Sequence, residues 1–120
     1  MYLIEEMRVK NQEFSHFEQW LSSIDKDDQE TAKSMISCLK VVGLKCIYVK
    51  AIDDIKGLFE LRSKYTGVRV YFFTDENKSI TLHGTKKSYT KSDILIQRND
   101  IQKAGRLMAE YFNAKRFYYE

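Results

Sequence analysis

The stretch "GLFELRSKYTGVRVYFFTDENKSITLHGTKK", from Gly57 to Lys87, constrains the fold more than any other part of the chain. Three short runs rich in strand formers are separated by two turn signals, Tyr65-Thr66-Gly67 and Asp75-Glu76-Asn77-Lys78. Connections this short make the neighbouring strands antiparallel. Reading every second residue divides the stretch in two. One set is Phe59, Leu61, Val68, Val70, Phe72, Ile80 and Leu82; the other is Glu60, Arg62, Lys64, Arg69, Tyr71, Phe73, Thr81 and His83. The first is expected to line a core and the second to face water. An ordinary wet face has no need of so many cations and aromatics near its turns and strand ends.

The rest of the chain supplies helices. "MYLIEEMRV" reads as a first strand. Asn11 is placed to cap a helix in which Phe14, Phe17, Leu21 and Ile24 recur at helical spacing, with Trp20 beside the stripe. "SSIDKDDQE" is a polar break rich in capping residues. A second helix follows, burying Met35, Ile36, Leu39 and Val42 and stopping at Gly43. "LKCIYVKAIDDIKG" fits either irregular chain or a short extended segment. A last helix carries Ile101, Ala104, Met108, Tyr111 and Phe112, and starts either at Asn99 or Asp100 or earlier, near Ser92. The chain has 120 residues, no proline, no repeat and no low-complexity segment. The expectation is one α+β domain spanning residues 1–120, with two N-terminal helices, an antiparallel sheet and a C-terminal helix.

Charge narrows the function classes. The formal net charge of +3 is unevenly spread: residues 55–92 hold 8 Lys and Arg against 3 Asp and Glu, while residues 1–54 hold 7 against 10. A local positive field of this kind favours polyanions, nucleic acid above all. No run of about 18 apolar residues exists to cross a membrane. The N-terminus carries Glu5 and Glu6 and lacks a signal peptide's apolar core, so a cytoplasmic location is expected. Cys38 and Cys46 read as packing residues in a reducing compartment. The acids Asp25, Asp27, Asp28, Asp53 and Asp54 read as caps and turns. With two histidines and no phosphate-binding Gly-rich loop, HExxH, Cys-x-x-Cys or G-x-S-x-G, neither a metal nor a cofactor is expected. His16, beside the first helix's stripe, reads as a surface or structural histidine; for His83, on the cationic face, a functional and a structural role stay equally open.

The candidate site is therefore Arg62, Lys64, Arg69 and His83, interleaved with Tyr71 and Phe73 and followed by Lys86, Lys87, Tyr89 and Lys91. Lys64 and Arg69 approach across the turn, and like charges placed opposite cost stability. Only Glu60 is near enough to offset them, so the pattern calls for an outside anion. Exposed aromatics would add stacking worth roughly 1–3 kcal/mol per base. No basic recognition helix is evident, which favours single-stranded RNA over a duplex groove. Cleaving RNA without a metal needs a base for the 2′-hydroxyl, cations for the crowded phosphorane and an acid for the leaving oxygen. Arginines suit the phosphate. A lysine among cations has a lowered pKa and suits the base, and a Tyr or His suits the acid.

"GLFELRSKYTGVRVYFF", then "ITLHGTKK" and "AGRLMAEYF", resembles the HigB-like, phage-associated branch of the RelE/ParE toxin superfamily. The resemblance covers about Glu13 to Phe112 and is densest from Leu58 to Lys87. It implies a compact toxin fold and a metal-independent, ribosome-dependent mRNA endoribonuclease that inhibits translation. It also implies a cognate antitoxin, a helix-turn-helix, HigA-like protein. Arg62 matches the Arg of the Leu-aromatic-Glu-Leu-Arg strand and Arg69 the Arg of the next strand. His83, Lys86 and Lys87 match the Leu-His and Lys-Lys positions, while Lys64 and Tyr89 join by position beside the cluster. "LHGTKK" lacks the aromatic usual after Leu-His, and "SYTKSDILIQRND" lacks the usual Lys-Thr-Pro entry to the last helix. Two other readings stay open: a ParE-like toxin that binds gyrase, and a non-enzymatic RNA- or ribosome-binding module.

Overall fold

The computed structural model describes residues 2–8, 15–86 and 93–119, with only the backbone described for 93–96 and 116–119. In chain order the elements are β1 (Leu3–Glu6), α1 (His16–Ser23), α2 (Lys26–Val42), a 3-10 turn (Gly43–Lys45), β2 (Val49–Ala51), β3 (Leu58–Arg62), β4 (Val68–Asp75), β5 (Lys78–Lys86) and α3 (Asp93–Tyr119).

Caps fix the helix boundaries. Ser15 Oγ accepts the Glu18 N–H at 3.0 Å and donates to Glu6 at 3.0 Å, tying α1 to the end of β1. Asn11, the cap expected from sequence, lies outside the described residues. Asp25 caps α2 by accepting the Asp28 N–H at 2.9 Å. Gly43 ends α2 at φ 63, a backbone region that costs an ordinary L-residue about 1 kcal/mol or more. Val42, expected to be buried, is exposed at the helix end. The segment left open between loop and strand holds β2. The last helix takes the earlier of its two expected starts: it runs from Asp93, so Asn99 and Asp100 lie inside it and cap nothing.

The five strands form one sheet in the order β1-β5-β4-β3-β2. β2 to β5 are antiparallel neighbours, whereas β1 runs parallel to β5. The sheet is thus mixed, not purely antiparallel as expected. The α+β class holds.

The larger correction concerns the two faces. Both are buried. Phe17, Ala32, Met35 and Leu39 of α1 and α2 pack with Leu61, Val68, Val70 and Phe72 on one side. Ala104 and Leu107 of α3 pack with Leu58, Tyr71, Phe73, Ile80 and Leu82 on the other. Alternation assigns a wet side only to a sheet with one uncovered face, and α3 removes that condition. A bulge adds to the effect. Tyr71 pairs with His83 but Phe72 pairs with Thr81, leaving Leu82 as an extra residue on β5. Ile80 and Leu82 therefore belong to the α3 side, and Thr81, opposite Phe72, to the other.

Gly84 lets α1 approach. A Cβ there would lie 2.5 Å from the Trp20 ring, so the indole rests directly on the β5 backbone. At the far end of α3, Asp75 accepts from Tyr111 at 2.8 Å and from Lys115 at 2.7 Å, fastening the helix to the β4–β5 turn.

Candidate functional site

Register brings the cations together. Arg62 ends β3 opposite Arg69, the second residue of β4, and Arg69 stands opposite Thr85 of β5. Lys86 pairs with Val68 one row further out. Lys64 lies just beyond, in the turn that closes with Gly67 N–H on the Ser63 carbonyl at 3.0 Å. The opposed pair is Arg62 with Arg69, not Lys64 with Arg69 as the turn alone suggested. Arg62, Lys64, Arg69 and Lys86 thus share one end of the sheet, beside the first turn of α2.

Their environments differ sharply. Arg62 is half-buried and Lys64 and Lys86 are open. Arg69 is sealed: its side chain is 3% exposed and its Nη1 lies 3.8 Å from Glu60 Oε2, whose side chain is 9% exposed. That distance is an ionic contact, too long for a hydrogen bond. The counter-charge that the sequence seemed to lack is therefore partly internal. Lys86 donates to Asp28 at 2.8 Å, and this bond holds its ammonium above the ordinary lysine pKa. The lowered-pKa base expected among the paired lysines is not Lys86. Lys87, Tyr89 and Lys91 lie outside the described residues.

Beneath α3 sits a polar cluster. Tyr71 stands between Glu60 and His83 in the register, its ring 5.0 Å from the imidazole. His83 Nε2 is 3.1 Å from the Asp100 carbonyl of α3, and Nδ1 is 3.3 Å from the Gly84 carbonyl. A neutral ring can donate to only one of them. Burial outweighs both carbonyls, and with Lys103 opposing a second charge the imidazole pKa falls below its ordinary 6.5. Burial, with Glu60 and Asp100 nearby, pushes the Tyr71 phenol up to about 12. Glu60 Oε2, Arg69 Nε, Tyr71 OH and Asp100 Oδ2 find no hydrogen-bond partner among the described residues.

Two expected roles change accordingly. Tyr71 and Phe73 were to stack on bases, but both are fully buried under α3; Phe73 packs 5.0 Å from Tyr111 and 5.3 Å from Phe112. Alternation placed His83 on the wet face with its role open, and it is instead a buried contact between β5 and α3. Sequence reasoning noted Glu60 beside the cations but missed Asp28 as the partner of Lys86 and Asp100 as the partner of His83. Asp28 was read only as part of a capping run, because nothing local connects it to a strand 58 residues away.

Between α2 and the end of β3 lies an open cavity of about 610 Å³ lined by Asp27, Glu30, Thr31, Ser34, Tyr48 and Arg62, among others. Arg62 therefore belongs to both the cation row and this cavity.

Residues 19–109 match the family model described as Phage derived protein Gp49-like. The chain belongs to this Gp49-like family. No curated protein matches it in sequence. Among solved structures, this Gp49-like chain is similar to the isolated RelE toxin of E. coli, at 8% identity over 86% of this chain and 98% of that one, with a TM-score of 0.56. It is also similar to a chain of the RelE–RelB complex from Pyrococcus horikoshii OT3, at 12% identity, 74% and 98% coverage and a TM-score of 0.53. A chain of the intact E. coli RelBE toxin–antitoxin complex matches at 10% identity, 73% and 99% coverage and a TM-score of 0.52. At such identities the likeness is one of fold. The Gp49-like chain has the RelE fold.

Proposed function

We propose that this protein is the toxin of a type II toxin–antitoxin system, of HigB type, and acts in the cytoplasm as a metal-independent mRNA endoribonuclease on the ribosome. The observation that carries the reading is the cation row at the sheet end, Arg62 opposite Arg69 with Lys86 on the next strand, built on a RelE fold. Fold alone does not specify chemistry, so the weight rests on this row. Arg62, the accessible guanidinium of the pair, binds the scissile phosphate and offsets the charge that grows on it. Arg69 acts from behind as a positioning residue, held by Glu60. Lys86, fixed as an ammonium by Asp28, adds a second cation.

In the reaction the 2′-hydroxyl loses its proton to a base, and its oxygen forms a bond to phosphorus. The P–O5′ bond breaks, and the departing oxygen takes a proton from an acid. Lys87 and Tyr89, which follow Lys86 in the chain, are the residues we assign to these two transfers. The neutralising partner is an antitoxin of helix-turn-helix type.

The test is induced expression followed by growth measurement and primer extension on cellular mRNA. Codon-linked cuts in the wild type, lost in Arg62→Ala at unchanged protein level, support the reading. DNA breaks with an SOS response and intact mRNA would transfer the case to a gyrase poison. Unchanged growth would remove every toxin reading.

A further inference from the structure

The β3–β4 turn carries an aromatic ring for which the fold has no use. Tyr65, at its tip, is 99% exposed, so its side chain adds next to nothing to the core. Tight turns favour Gly, Asn, Asp and Ser, none of which brings a large apolar surface. The backbone beneath the ring is nonetheless well held. Ser63 N–H donates to the Val68 carbonyl at 2.9 Å and Gly67 N–H to the Ser63 carbonyl at 3.0 Å. Ser63 Oγ accepts the Thr66 N–H at 3.4 Å, and Thr66 Oγ1 accepts the Val68 N–H at 3.3 Å. Gly67 supplies the positive φ, 77°, that closes the turn. A ring on a braced backbone loses less freedom on being covered than one on a loose loop.

The cations beside the ring indicate what covers it. Tyr65 follows Lys64 directly and stands three residues beyond Arg62, and all three line the same cavity. Arg62 faces Arg69 in register, and Lys86 is on the next strand but one. Tyr71 and Phe73 are sealed under α3 and offer this row no stacking surface. The other exposed large aromatics among the described residues, Tyr2 and Phe112, lie toward the opposite end of the sheet: Tyr2 precedes Leu3, which pairs with Lys78, and Phe112 packs on Phe73.

We infer that Tyr65 is a stacking platform for one base of a single-stranded RNA whose phosphates lie on the cation row, an inference that rests on the RNA-cleaving reading of that row. Cations alone hold a polyanion equally well at any phosphate along it. A ring fixed beside them gives the strand a register, because stacking one base on Tyr65 settles which phosphate meets Arg62. Every base has a π-face, so the platform positions the strand without choosing its sequence. A duplex does not fit it, since paired bases are already stacked on one another.

The test measures binding of the full-length protein to a fluorescein-labelled 2′-O-methyl RNA decamer, which has no 2′-hydroxyl to attack, and to its abasic analogue, which keeps the sugars and phosphates. Tyr65→Ala is expected to keep the wild-type thermal midpoint and to lose about five- to 150-fold in affinity for the decamer. Tyr65→Phe, which keeps the ring, is expected to bind as the wild type does. On the abasic strand the wild type and Tyr65→Ala are expected to bind equally. The salt dependence also separates the roles: Tyr65→Ala keeps the wild-type slope of log K against log salt, whereas Arg62→Ala reduces it by about 0.7. No binding by the wild type, equal affinity of wild type and Tyr65→Ala, or the same loss on the abasic strand overturns the platform. Mapping mRNA cuts after induction keeps the two readings apart. Base-dependent binding that Tyr65→Ala loses, with mRNA intact in the wild type, defeats the nuclease and leaves the platform standing. Cleavage by the wild type, with Tyr65→Ala binding RNA equally well, defeats the platform alone.

Discussion

The Glu60–Arg69 pair offers the sharpest test of what the buried polar cluster is for. The two side chains are 9% and 3% exposed and meet at 3.8 Å without a hydrogen bond, while Glu60 Oε2 and Arg69 Nε find no partner among the described residues. Removing one partner strands the other charge in the interior. Arg69→Ala should therefore cost about 3–5 kcal/mol. At about 4 °C per kcal/mol for a chain of this length, the thermal midpoint should fall by roughly 12–20 °C. Replacing both residues by apolar ones of similar size, Glu60→Leu with Arg69→Met, removes the desolvation cost of both ions. A pair so poorly hydrogen-bonded repays little of that cost, so the double variant should be as stable as the wild type or more stable by about 1–4 kcal/mol. Urea denaturation followed by the fluorescence of Trp20, the single tryptophan, with circular dichroism as a second probe, measures both quantities. On the nuclease proposal, mRNA cleavage should nonetheless be lost in the folded double variant, because Arg69 no longer stands behind Arg62. If the double variant is less stable than Arg69→Ala alone, the pair is a net structural asset and the reasoning fails. If it is stable and still cleaves, Arg69 has no part in the site.

Other expectations follow from single contacts. Gly84→Ala places a methyl group 2.5 Å from Trp20, so α1 must shift; the loss should be about 1–3 kcal/mol, with a changed Trp20 emission maximum. The lowered pKa of His83 means that the unfolded chain takes up a proton more readily than the folded one. Its stabilising contribution is full above pH 6.5 and is lost as the pH falls toward the folded-state value, and His83→Gln should flatten the urea-midpoint profile in that window. The Cys46 thiol, pushed up to about 11 by burial and by the neighbouring Cys38 thiol, should be about one part in a thousand ionised at pH 8 and resist iodoacetamide in the folded state. Rapid labelling of Cys46 in native protein would contradict its place in the core.

The order of elements was legible because each depends on residues close together in sequence. Asp25 and Gly43 bracket α2, two tight turns define β3 to β5, and helical spacing marks α3. The layering was not, because period-two alternation reports on one strand and not on what covers it. Tyr71 and Phe73 carry the same letters whether they face water or a helix; only the docking of Ala104 and Leu107 decides. The bulge at Leu82 is equally silent, since one extra residue in a strand of nine changes no local propensity. For the candidate site, the motif letters named Arg62, Arg69, His83 and Lys86 but not their states. Those depend on Glu60, Asp28 and Asp100, and on how deeply each group lies.

That burial bears on how a catalytic reading can be true of this fold. A central strand covered on both sides normally carries apolar residues, and β4 follows the rule at Val70, Phe72 and Phe73. It breaks the rule at Arg69 and at Tyr71, whose hydroxyl has no partner among the described residues, and the neighbouring strands break it at Glu60 and His83. Unpaired polar atoms in an interior cost about 1–3 kcal/mol each, and more when charged. Four atoms without a partner among the described residues, on Glu60, Arg69, Tyr71 and Asp100, are a poor solution for stability alone, and local conflicts of this kind concentrate at functional sites. Their position ties them to the open end of the sheet. Arg69 lies directly behind Arg62, and Tyr71 and His83 follow on the same face. Buried polar groups thus continue inward the row that the half-buried Arg62 opens at the strand end. On the nuclease proposal, reactivity at the rim and cost in the interior have one cause, which the double apolar replacement separates.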